Sequence, residues 1–272
     1  MAFLRRNFTD KDLDFIIETA APDVSDKARL KQILKEDSDF RAQFLSDDRI
    51  FNRVMDEKEV FLKISPSLFF EILLRRTLKE LKGKGYTWEK TSNMQIPIFD
   101  SSEIVAFLEK EEHIVYLAEM LASFTRIENY TIYLRVGKGI WRKVSFNDLD
   151  IQSLMAFCDM VDEEHRLALY KRIADVCLFI LGIFPDWAER NYRYPLTKEV
   201  RPGIFGRPRI SPEEYEREGR KFYKLAATHK FVKDTAWEEI FWDLHENFQK
   251  AKKPLNFISD NYLRYTRHRI FM

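Results

Sequence analysis

The chain has 272 residues, of which 45 are Lys or Arg and 44 are Asp or Glu, so its formal net charge is only +1. An apolar content of 45%, with 23 Phe, 11 Tyr and 5 Trp, supplies a real core and excludes a disordered chain, which needs low hydrophobicity and high net charge. Of the 8 Gly, Gly83, Gly85, Gly137 and Gly139 stand in two Gly-Lys-Gly turns, which leaves too few for a glycine-rich phosphate cradle or a propeller.

In chain order, residues 8–60 read as short helices. Thr9 or Asp10 caps the first, through Thr19. Ser25-Asp26 opens the second, through Lys35, and Phe40, Phe44 and Leu45 mark a third. Ser65-Pro66 is a strong helix start, because Ser accepts from first-turn amides and Pro at the first helical position loses no needed donor. That helix runs to about Lys82. Its first half, LFFEILL, is apolar on nearly every face and therefore central.

Residues 86–99 lack helical periodicity and suit a small extended pair. Asp100, Ser101 or Ser102 caps a helix to about Lys110, and another follows through Phe124. Residues 130–146 alternate as two strands around Gly137-Lys138-Gly139, which predicts a hairpin that must pack on helices. Asn147 or Asp148 caps the next helix. Residues 163–184 predict another, ended by Pro185. Residues 185–212 hold five Pro and two Gly with little periodicity, the pattern of a boundary or long surface loop. Helices are expected near 211–229, 235–250 and 254–266.

The fold class predicted is mainly α: a multi-helix domain, or two helical lobes, with a minor β-hairpin. The organisation expected is a helical part over 1–185, a Pro/Arg-rich loop over 186–212, and C-terminal helices over 213–272 packing on the first part. Cys158 and Cys177 make no disulfide framework and read as small buried hydrophobes, which suits a reducing cytoplasm. The chain's opening residues reach acids before an apolar stretch of signal length. The longest apolar run, Val176 to Pro185, has ten residues where a membrane helix needs about 20, so no membrane partner is expected. Abundant charge with five Gln is a composition that suits a thermophile.

Several chemistries lack their motifs. There is no GxxxxGK[ST], no GxGxxG and no GxSxG. The His residues at 113, 165, 229, 245 and 268 form no HExxH pair, and no metal or cofactor is expected.

The near-zero net charge is a balance of unlike regions. Residues 144–165 carry six acids and no Lys or Arg, whereas 190–272 carry 18 bases against 11 acids. Within 186–209, Arg190, Arg193, Lys198, Arg201, Arg207 and Arg209 face Asp186, Glu189 and Glu199, with Trp187, Tyr192, Tyr194 and Phe205 interleaved. Arginine forks suit phosphate, and aromatic rings offer faces to bases, so the segment suits nucleic acid or a phosphate-bearing ligand. Internal pairing with acidic helices such as 148–164 reads from the same residues. The tail holding Arg264, Arg267 and Arg269 is either a frayed, solvated end or a second phosphate-contacting or docking element.

Three carboxylate or histidine positions also stand out. Glu71 lies within LFFEILL and needs a partner, for which Arg75, four residues on, has the favourable order. Asp175 stands beside Arg172 before the apolar run. His165 sits in the acidic cluster Asp159, Asp162, Glu163 and Glu164 and is grouped with Glu71, Arg75 and Asp175 as a buried polar candidate. Gly219, Phe222 and Ala226 share helical spacing, where a small residue lets a neighbour approach. The leading functional reading is a non-enzymatic protein that binds or scaffolds a macromolecular partner or self-associates. The alternatives are nucleic-acid or phosphate-ligand binding through 186–209 and the tail, and an enzyme whose arginines and carboxylates converge from distant positions.

Overall fold

The computed structural model describes residues 8–91, 94–98, 100–126, 129–137, 140–147, 149–194, 197, 199–203 and 208–271. The elements in order are α1 (Asp10–Ala20), α2 (Lys27–Glu36), α3 (Ser38–Leu45), α4 (Asp48–Asp56), α5 (Val60–Lys63), α6 (Pro66–Lys82), β1 (Thr87–Thr91), β2 (Met94–Ile98), α7 (Ser101–Leu108) and α8 (Glu111–Ser123). They continue as β3 (Asn129–Gly137), β4 (Ile140–Asn147), α9 (Ile151–Cys158), α10 (Arg166–Ile183), α11 (Pro185–Tyr192), α12 (Pro212–Ala227), α13 (Ala236–Glu246), α14 (Phe248–Asn261) and α15 (Arg267–Ile270). A 3-10 turn at Glu163–His165 leads into α10. The protein is mainly α. Its strands form two antiparallel pairs, β1 with β2 and β3 with β4, and the second sets Ile132 opposite Val144.

The chain groups into two compact units, one of Met1–Ser123 with Lys253–Tyr265, the other of Phe124–Lys252 with Thr266–Met272. The division falls elsewhere than at the 186–212 segment, because α10 and α12, on either side of it, pack against each other within the second unit.

In the first unit, Ser65 caps α6 by accepting from the Leu68 amide at 3.2 Å, with Pro66 at the first helical position. Leu68, Phe70, Ile72, Leu73 and Leu74 are fully buried, so α6 is the central helix, and it packs against α8, α7, α4, α3 and α5. Thr9 and Asp12 form a reciprocal capping box on α1. Asp12 also accepts from the Ser65 amide at 2.7 Å, which ties the starts of α1 and α6 together.

In the second unit, α10 is central. From Ile173 to Ile183 every residue is buried, and α9, α11 and α12 pack on it. Gly219 of α12 permits a close approach: a Cβ there would stand 2.5 Å from the Phe248 ring and 3.0 Å from the Cys177 Cβ. The spacing of Gly219, Phe222 and Ala226 is thus a packing face.

Several boundaries differ from expectation. Asp150, rather than Asn147 or Asp148, caps α9, accepting from the Gln152 and Ser153 amides. Pro185 occupies the first turn of α11 instead of opening a loop, so 185–192 is helical. Pro254 lies inside α14 rather than at a helix start. The Lys138-Gly139 turn expected between β3 and β4 lies outside the described residues.

Candidate functional site

The arginine-aromatic segment is built on α11. Ala188 turns inward and is buried, while Trp187 and Arg190, three residues apart, share the exposed side. The Trp187 side chain is 49% exposed and has no hydrogen bond or ring contact among the described residues. Arg190 is exposed and its side chain has no ion pair or hydrogen bond among the described residues. Asp186, on the same helix, pairs instead with Arg267 at 3.9 Å.

The chain beyond α11 is pinned. Arg193 and Val200 form an isolated antiparallel bridge, flanked by Tyr194 N–H donating to the Glu199 carbonyl at 2.9 Å and Arg201 N–H to the Tyr192 carbonyl at 2.8 Å. The Arg193 guanidinium lies 5.5 Å from the Tyr192 ring centroid and that of Arg201 4.7 Å from the Tyr194 ring. The arginines thus keep their charge while leaning on aromatic faces. Arg209 donates from Nε to the Pro202 carbonyl at 2.9 Å and from NH1 to the Asn191 side-chain oxygen. Asn191 is one turn beyond Trp187, so its hydrogen bond sets the Arg209 guanidinium on the Trp187 side of α11. Gln152 of α9 donates to the Pro208 carbonyl at 3.0 Å. These bonds tie the described residues of the segment to α11, to α9 and to one another. Arg207, expected among the binding residues, lies outside the described residues.

The end of the chain is docked rather than frayed. Phe271 is buried and meets the Phe179 and Phe184 rings edge-on at 5.0 and 6.1 Å. Arg267 donates to the Ile183 carbonyl at 3.2 Å and covers the Phe184 ring at 5.5 Å. Its charge therefore serves the fold. Arg269 is exposed. Arg264 is exposed in the other unit, its guanidinium 5.7 Å from the Tyr265 ring.

Of the buried polar residues expected from the sequence, Glu71 and Arg75 lie in the first unit and Asp175 in the second. In the first, Glu71 is fully buried and its Oε1 accepts from Arg75 Nε at 2.8 Å and NH2 at 2.6 Å, and Arg75 also donates to Glu111. Burial pushes the Arg41 guanidinium below its usual pKa, with Glu111 opposing that shift. In the second, Asp175 accepts from the Tyr223 hydroxyl at 2.9 Å and from Lys171 Nζ. Arg172, beside which the sequence set Asp175, instead covers the Phe124 ring at 3.9 Å.

His165 is exposed, at the end of the 3-10 turn, and so is not a buried polar group. The turn faces solvent because its acids pair outward, Glu163 with Arg166 at 3.2 Å and Glu164 with Lys230 at 2.6 Å. The Lys230 hydrogen bond holds the Glu164 carboxyl below its ordinary range. The buried histidines are His113 and His229. His113 Nδ1 meets the Phe107 carbonyl at 2.7 Å and its ring stacks on Phe107. His229 Nδ1 accepts from the Phe231 amide, which leaves Nε2 to donate to the Glu163 carbonyl at 3.0 Å. Sequence offered one signal for each: His113 precedes the apolar run 114–118, and His229 follows Ala226-Ala227.

Burial pushes the Cys158 thiol up to about 11 and raises Cys177 as well, so neither is a ready thiolate at neutral pH. Among the described residues no three His, Cys, Asp or Glu side chains group to hold a metal ion, and no helix is long and apolar enough to cross a membrane. Comparison of the chain with family models, curated proteins and solved structures returns no match.

Proposed function

We propose that this is a macromolecule-binding protein whose ligand is a polyanion, held on the surface formed by α11 and the loop to Arg209. The observation that carries this reading is Arg190: an exposed guanidinium with no partner among the described residues, beside the exposed Trp187. Among the described residues, the core charges Glu71, Arg75 and Asp175 are matched by counter-charges or hydroxyls. Here, among the described residues, Arg190, Arg193, Arg201 and Arg209 either have no ion pair or hydrogen bond from the side chain or bond to neutral carbonyl and amide oxygens, a state that suits phosphate or sulfate. The pinning bonds hold these groups in place before a ligand arrives, which lowers the ordering cost of binding.

The test is retention on a heparin matrix. The wild-type chain binds at low salt and elutes as salt rises, because each neutralised anion releases counterions. A chain carrying Arg190→Glu, Arg193→Glu and Arg201→Glu, with an unchanged circular dichroism spectrum, flows through or elutes at clearly lower salt. Equal elution of the two chains contradicts the proposal.

A further inference from the structure

We infer that the polyanion is a single-stranded nucleic acid, with one base stacked on the Trp187 indole and the adjoining phosphates held by Arg190 and Arg209. This rests on the polyanion reading above and adds a ligand class to it. Tryptophan is among the most buried residue types on average, yet Trp187 is 49% exposed and makes no ring contact among the described residues. It sits on a helix rather than a free end, next to Ala188, which is buried, so its position is fixed from below.

Cations flank it. Arg190 is one turn away on the exposed side, and the Asn191 bond brings Arg209 to the same side. Tyr194, 40% exposed, lies just past the helix end, with Arg201 leaning on its ring. An exposed flat ring on the same helix as Arg190 and the Arg209-bonded Asn191 combines a face for stacking with nearby positive charge, the combination that binds unpaired bases. Duplexes keep their bases stacked inside the helix, and sulfated polysaccharides carry no bases. Neither makes use of the indole.

The experiment uses the full chain and follows fluorescence anisotropy of a labelled thymidine oligonucleotide. Unlabelled heparin and a duplex of the same length compete. Trp187→Ala is expected to weaken oligonucleotide binding roughly 10-fold or more while leaving heparin competition unchanged, and Trp187→Phe to restore most of the loss. Trp187 is exposed on its outer side, so these variants should keep the fold. Arg190→Glu weakens both ligands. Wild-type oligonucleotide affinity in Trp187→Ala, or a duplex that competes as well as the single strand, overturns the stacking inference and leaves the polyanion reading standing. A wild-type chain that binds neither oligonucleotide nor heparin overturns both.

Discussion

Arg75 and Arg190 are the same residue type in opposite circumstances. Arg75, on the central helix of the first unit, is 5% exposed and spends its donors on Glu71 and Glu111. Arg190, on α11 of the second, is exposed with no ion pair among the described residues. A guanidinium inside a core must be matched, because an unpaired buried charge costs several kcal/mol. One on the surface is solvated and carries no such demand. The contrast separates charge that holds the fold from charge that no described residue pairs with. Asp175 repeats the first case with different partners, Tyr223 and Lys171. Arg267 joins it, since its guanidinium is committed to Ile183, Asp186 and Phe184.

The contrast breaks most visibly at Glu71. Glu71→Ala removes the inner carboxylate of a buried pair and should lower stability in urea unfolding by about 3 kcal/mol or more, whereas Arg190→Ala should stay within about 0.5 kcal/mol of wild type. A comparable loss at both sites would erase the distinction. Gly219→Ala asks whether the interior of the second unit is as unyielding as its close contact implies. The added methyl meets Phe248, itself fully buried, and overpacking should outweigh the helix-propensity gain for a net loss of about 2 kcal/mol in thermal unfolding. Tyr223→Phe withdraws one hydroxyl from Asp175 and should cost about 1–2 kcal/mol by the same measurement. Ser211→Ala removes the capping box that starts α12, whose Ser hydroxyl accepts from Glu214 N at 3.1 Å, and should cost about 1 kcal/mol.

Much of the fold could be read from local chemistry. Ser65-Pro66 and the Gly-flanked alternation at 130–146 act through nearest neighbours, and α6 and the β3–β4 pair stand where those residues place them. The Glu71–Arg75 pair was legible because helical spacing alone brings the two together. What failed depended on context that a single segment does not carry. A proline suits the first turn of a helix as well as the end of one, and Pro185, expected to end one helix and open a loop, also starts α11. Asn147 and Asp148 have the chemistry of a cap, but α9 starts later and Asp150 caps it. His165, set among acids, is exposed, and His229, between Thr228 and Lys230, is buried and bonds to the Glu163 carbonyl, a contact between residues 66 apart that no local pattern carries. In the candidate site, the residue types were visible in the sequence. The Arg209–Asn191 bond was not, because it links residues 18 apart, and neither was the absence of an Arg190 ion pair among the described residues.

The central claim is that the charge on α11 and its loop is free for a polyanion. It is tested most directly by the salt dependence of oligonucleotide affinity for the wild-type chain and for Arg190→Glu. The account predicts affinity that falls steeply with salt in the wild type, with a slope in log–log form shallower by about 0.7 in the variant, one phosphate contact fewer. Identical slopes, or an affinity indifferent to salt, would contradict it.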